Sequence, residues 1–278
     1  MRMSGTAPRQ SRVPGYSSRL ARSVAAPSAK MSWRNSPASW RGSLGFRRRG
    51  SSLRRMVLCV VCWSRTCVRP TGFCSTEVLM SGAIEAYNPD DQENRGHNAH
   101  AIQSALRDFN SPPAVDLPHD FTAFDVFTGY MVFDALIAHV DRHDRNWAVL
   151  VPPPGSDSPD SLCASFDHAA SLGFTLSEES IAQHLREGSV ARWASQGKAR
   201  RFEHVRGTPW QSLVALAGDA SRLCRDEVRT YWRDRVLSVD RDSVRDIVSP
   251  APGVADVSLE FLVELVMVNR ERLLNELN

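Results

Sequence analysis

The first acidic residue of this chain is Glu77. Ahead of it stand 14 Arg and Lys30 with no Asp or Glu, so a net charge of +3 over 278 residues conceals a leading segment of +15. The remainder holds 19 basic residues against all 31 acidic ones. A segment of one charge sign has no ion pairs of its own and repels itself. This one also shows no sustained apolar period of two or 3.6 residues, so residues 1–76 are expected to be disordered. Residues 77–278 are long enough for one sizeable core and too short for two, which predicts a single folded domain there.

Several readings of the leading segment stay open. Its Arg- and Ser-rich composition suits an organellar transit peptide or a basic nucleic-acid-binding arm. The whole chain has only two lysines, Lys30 and Lys198, against 32 arginines. That ratio suggests a GC-rich coding sequence, in which a frameshifted or mis-annotated start would yield the same composition, with Met80 near the join. Arg47, Arg48, Arg49, Arg54 and Arg55 could neutralise phosphates, but such runs are more often solvated charge, and direct nucleic-acid binding is not expected. Cys59, Cys62, Cys67 and Cys74 could surround a zinc ion, although their spacing does not form two short knuckles. Cys163 and Cys224 are too isolated for a disulfide framework, which points to a reducing cytoplasm. No apolar run exceeds residues 56–63, too short to span a membrane, which takes about 20 residues.

The acidic part reads as mainly α with a small β-hairpin, an α+β fold. Phe124, Phe127, Met131, Ala135 and Ala138 recur at three- and four-residue steps and predict a buried helix over 122–139. After a charged run, residues 147–151 form an apolar strand stopped by Pro152, Pro153, Pro154 and Gly155. A second apolar run at 162–166 pairs with it as an antiparallel hairpin. Further helices are expected over 181–193, 210–237 and 258–277. The last is capped by Ser258 and stacks Leu262, Leu265, Val266, Asn269 and Leu273.

A hairpin brings the entry of its first strand and the exit of its second to one end, with neighbouring strands about 4.8 Å apart. Asn146 and Asp167 flank that end and should converge. An amide oxygen beside a carboxylate suits a hard cation such as magnesium, whose other positions go to phosphates and water. Asp141, five residues before Asn146, can face the same cleft as a proton acceptor.

An Asp base, an Asn five residues on and a second Asp across a hairpin is the arrangement protein kinases use for phosphoryl transfer. The runs Phe133-Asp134-Ala135-Leu136-Ile137, Asp141-Arg142-His143-Asp144-Arg145-Asn146-Trp147 and Phe166-Asp167-His168-Ala169-Ala170-Ser171-Leu172-Gly173 resemble the C-terminal lobe of the HipA-like kinases. That resemblance covers residues 77–278. It implies a kinase-like C-terminal lobe and phosphorylation of serine or threonine with ATP and magnesium. Asp141 would be the catalytic base, His143 a brace of the catalytic loop, and Asn146 and Asp167 the magnesium ligands that also bind nucleotide. The phosphate acceptor would be a protein or a small molecule, and an antitoxin-like partner, as in a toxin-antitoxin pair, is conceivable. Asp134 is expected to be structural, Trp147 core, His168 a hydrogen-bonded structural histidine, and Arg142, Asp144 and Arg145 solvated charges.

The family's N-terminal lobe is not legible. There is no G-x-G-x-x-G; Gly42-Ser43-Leu44-Gly45 is a weak substitute, and Lys30 has no strand pattern before it. The chain is therefore expected to be a kinase or a truncated, weakly active remnant. A non-catalytic pseudokinase module is the alternative. A metal phosphohydrolase built from His100, His119-Asp120 and His143-Asp144 is a further rival.

Overall fold

The computed structural model describes residues 73–84, 87–88, 90–113, 115–249 and 254–278, with side chains from 79 onward. All lie within one compact unit, Arg48–Asn278. Lys30, the Gly42–Gly45 run, the arginine runs and Cys59, Cys62 and Cys67 lie outside the described residues, as does nearly all of the segment expected to be disordered.

The elements run β1 (Phe73–Ser75), α1 (Thr76–Ala83), α2 (Ala99–Ala105), α3 (Ala123–Leu136), β2 (Ala148–Leu150), β3 (Ser161–Leu162), α4 (Glu178–Arg186), α5 (Val190–Ala194), α6 (Leu213–Arg222), α7 (Asp226–Leu237), α8 (Arg241–Val248) and α9 (Asp256–Glu276). The expected hairpin is present: β2 and β3 pair antiparallel with Val149 opposite Leu162. It carries a third strand, since β1 pairs antiparallel with the other edge of β2, Phe73 opposite Leu150. That strand comes from the acid-free side of the charge boundary. Ordered structure thus begins before Glu77, because strand pairing depends on backbone groups and β2 offers a free edge whatever the charge of its partner.

Helix α3 is the axis of the fold. Thr122 caps it with a reciprocal capping box: its hydroxyl accepts the Asp125 N–H at 3.2 Å, and the Asp125 carboxylate accepts the Thr122 N–H at 2.8 Å. It ends where Ala138 turns left-handed at φ +53° and the His139 N–H bonds back to the Asp134 carbonyl at 2.7 Å. All 14 residues are buried, so the apolar stripe of the sequence understates a helix enclosed on every side. Helices α6, α7 and α9 pack against it. Gly129 permits the closest approach: a Cβ there would stand 2.2 Å from the indole of Trp232, whose N–H donates to the Asp125 carbonyl at 2.9 Å.

Helix α9 is the second organiser, touching α3, α4, α5, α6, α7 and α8. Its expected stack is buried at Leu265, Val266, Asn269 and Leu273, with Leu262 partly so. Asn269 donates to the Leu136 carbonyl at 3.2 Å, satisfying an orphan acceptor at the end of α3. Phe261 and Leu265 join Ala138, Ile181, Val190 and Ala194 in one cluster.

Two expected helices are broken. The run at 181–193 divides into α4 and α5 at Gly188, which takes φ +60°. The run at 210–237 divides into α6 and α7 at 223–225, which lets α7 start with Asp226 and Glu227 in its first turn. Helix α9 starts at Asp256, two residues before the expected Ser258, with no side-chain cap. No helix among the described residues is long and apolar enough to cross a membrane.

Candidate functional site

The loop joining α3 to β2 gathers the polar residues singled out in the sequence. Two backbone bonds tie it to the segment leaving β3: Val140 N–H to the Ala170 carbonyl at 3.2 Å and Leu172 N–H to the Ile137 carbonyl at 2.8 Å. Within the loop the Asp141 carbonyl accepts both the His143 N–H, at 2.8 Å, and the Asn146 side-chain amide, at 2.7 Å. The Asn146 N–H returns to the His143 carbonyl at 3.0 Å. Spending its Nδ2 on Asp141 fixes the amide and leaves Oδ1 without a partner among the described residues.

Arg142 holds this loop from beneath. Its side chain is 2% exposed and meets Asp134, itself 4% exposed, through two parallel bonds: Nε to Oδ2 at 2.8 Å and Nη2 to Oδ1 at 2.7 Å. Nη1 donates to the Asn146 carbonyl at 2.6 Å and reaches the Phe166 carbonyl at 3.4 Å. Nη2 also donates to the Ser165 hydroxyl at 2.8 Å and to His168 Nε2 at 3.1 Å. One guanidinium therefore touches the residue Asn146 and the residue before Asp167, which brings the two chain segments together at one end of the hairpin. The expectation that Arg142 is a solvated charge is corrected: a bidentate partner in the buried helix makes its burial tolerable. The expectations for Asp134, Trp147 and His168 agree with the structure.

A guanidinium only donates, so His168 accepts at Nε2 and carries its proton on Nδ1. Burial, then the neighbouring Arg142 charge, push its pKa down to about 4. His97 is buried and neutral for a like reason. The Trp147 indole donates to its Nε2 at 3.2 Å, so Nδ1 donates to the Arg201 carbonyl at 2.6 Å, and burial lowers its pKa. His139 bonds Ser171 through Nδ1 at 3.0 Å while its Nε2 is buried without a partner, and burial lowers its pKa too.

Of the four residues expected to carry chemistry, Asp141 is half-buried and its Oδ1 accepts from Arg201 Nε at 2.7 Å. His143 stands 3.9 Å from the same carboxylate, and its Nδ1 accepts the Arg145 N–H at 3.0 Å. It steadies the loop locally, while the bracing expected of it falls mainly to Arg142. Asp167 is exposed, left-handed at φ +53°, and makes no hydrogen bond or ion pair among the described residues. Asn146 Oδ1 and the Asp167 carboxylate are thus two hard oxygen donors with no protein partner, a donor chemistry that fits magnesium. Asp144, expected to be solvated, accepts from the Tyr87 hydroxyl.

The rival metal constellation is not assembled. His100 is exposed on α2, and Asp120 is paired with Arg225 at 2.9 Å. Among the described residues no three His, Cys, Asp or Glu side chains are grouped to hold a metal.

Sequence reasoning missed Arg142, Arg201 and His97. For Arg142 a signal existed: Asp134 lies in the last turn of a buried helix, too far from the cap to use its N–H groups, and Arg142 is a cation eight residues on. For Arg201 there was none, since its contact spans 60 positions.

No family model matches the chain, and no curated protein matches it in sequence. Its structure is similar to that of the Helicobacter pylori proinflammatory kinase CtkA. The TM-score is 0.52 at 14% identity, over 75% of this chain and 68% of that one. At that identity the likeness shows the fold alone. The chain has a kinase-like fold, mainly helical with a small antiparallel sheet.

Proposed function

We propose that the chain is the catalytic lobe of an ATP- and magnesium-dependent phosphotransferase of the HipA-like kind, acting on a serine or threonine hydroxyl of a protein or on a small-molecule hydroxyl. The observation that carries this reading is the Arg142 hub. By holding the Asn146 and Phe166 carbonyls with one nitrogen, it joins the loop that carries Asp141 and Asn146 to the residue before Asp167, in a kinase-like fold.

Asn146 Oδ1 and Asp167 would hold magnesium, which would offset the charge of the nucleotide phosphates. Asp141 would orient the acceptor hydroxyl and take its proton. The acceptor oxygen attacks the γ-phosphorus, a new O–P bond forms, the bond to the β,γ-bridging oxygen breaks, and ADP leaves with that electron pair. The test is calorimetric titration with ATP, with and without magnesium. Asp167→Ala should abolish the magnesium-dependent part with circular dichroism unchanged, and unaltered binding would overturn the assignment.

A pseudokinase module is the second reading, favoured by one observation: the Asp141 carboxylate is already engaged by Arg201. Turnover distinguishes the two. If the lobe is catalytic, Asp141→Asn in a chain rejoined to a nucleotide-binding N-terminal lobe should lower phosphate transfer by about 10²-fold or more. An antitoxin-like partner would belong to the catalytic reading.

A further inference from the structure

Among the described residues, Arg201 is the cation that the fold delivers to Asp141 from a distant part of the chain. It lies in residues 195–212, between α5 and α6. That connection closes on itself through Ala199 N–H to the Gln211 carbonyl at 2.9 Å and Leu213 N–H to the Gly197 carbonyl at 3.3 Å. It is also strapped to residues 93–98. Asn94 donates to the Arg200 carbonyl at 3.1 Å, the Glu203 N–H to the His97 carbonyl at 2.8 Å, and the His204 N–H to the Glu93 carbonyl at 2.9 Å. Buried Phe202 stacks on His97 with centroids 4.6 Å apart. The backbone of Arg201 is therefore fixed on both sides.

Its side chain is used differently from that of Arg142. Arg142 spends its whole fork on buried protein oxygens and on His168, with its charge matched by Asp134. Arg201 gives only Nε to Asp141, and its side chain is 52% exposed. Its two terminal nitrogens make no bond among the described residues. Arg201 lines a small crevice with Val140, Phe202 and Leu213. An anchored arginine with one edge on a carboxylate and the other edge open presents two parallel N–H groups to a second anion. The chemistry that suits such a fork is a phosphate.

We propose that the open edge of Arg201 binds the transferring phosphate of a nucleoside triphosphate while its Nε keeps Asp141 in place, so that one guanidinium aligns the phosphate with the base. This rests on the kinase reading and deepens it. Arg201 forms no covalent bond; it offsets the charge spread over the phosphoryl oxygens during transfer.

Calorimetric titration of the full chain with ATP and with ADP, in magnesium, tests it on Arg201→Gln, Arg201→Lys and Asp167→Ala. Arg201→Gln should weaken ATP by about tenfold or more, as loss of a charge-assisted phosphate contact does, and leave ADP nearly unchanged. Arg201→Lys should fall between, since an ammonium keeps the charge and loses the fork. Asp167→Ala should weaken both nucleotides. If Arg201→Gln weakens ATP and ADP equally, or neither, while Asp167→Ala weakens both, the Arg201 role is wrong and the kinase reading stands. If the unaltered chain shows no magnesium-dependent binding of either nucleotide, the kinase reading fails and this inference with it.

Discussion

Replacing Arg142 by methionine tests whether the catalytic loop hangs on one buried cation. Methionine approximates the arginine stem, so little packing is lost. What disappears is the two-bond pair to Asp134 at 2.7 and 2.8 Å and the donors to the Asn146 carbonyl and the Ser165 hydroxyl. Asp134, 4% exposed, is then a buried carboxylate without its cation. Breaking such a pair from one side costs about 3–5 kcal/mol, a large share of the roughly 5–15 kcal/mol that holds a domain folded. Urea unfolding at pH 7, followed by circular dichroism, reads that cost as a lower midpoint at an unchanged slope. Arg142→Met combined with Asp134→Leu removes both charges and should recover about 2 kcal/mol or more of the loss. Hydrogen exchange adds a local readout: the His143 and Asn146 amides should lose protection in both variants, since the loop loses its donors in each. A single variant destabilised by less than about 1 kcal/mol, or a double variant no better than the single, would refute the hub argument.

Acid should destabilise the fold through His168. Its folded pKa of about 4 lies below the unfolded value of 6.5, so the unfolded chain binds more protons between those two values. The contribution is complete above pH 6.5 and is lost as pH falls toward 4, at most about 3 kcal/mol from this group. His168→Gln should flatten the urea midpoint against pH in that window, and an unchanged slope would count against the assignment. Gly129→Ala should destabilise by about 1–3 kcal/mol through overpacking against Trp232, visible as a red-shifted indole emission along with the lower midpoint. Thr122→Ala removes the cap of α3 and should cost about 1 kcal/mol, with Thr122→Ser close to unaltered; equal losses in both would argue against the capping box.

Local chemistry made much of this protein legible in its sequence. The hairpin followed from an apolar run, a proline stop and a second apolar run, and helix α3 from its apolar stripe. The gathering of Asn146 and the chain just before Asp167 followed from hairpin geometry, because the two ends of a hairpin are neighbours by construction. Tertiary structure decided the rest. Strand β1 joins the sheet from the acid-free side, Gly188 and residues 223–225 break long helical patterns so that α5 and α7 reach α9 and α3, and Arg142 is buried because Asp134 awaits it. Arg201 reaches Asp141 across 60 residues only because its connection is strapped to residues 93–98. Periodicity and turn chemistry act over a few residues and can be read from neighbours in the chain. The partner of a buried charge is set by which distant segments the packed core brings together, and no local pattern records that.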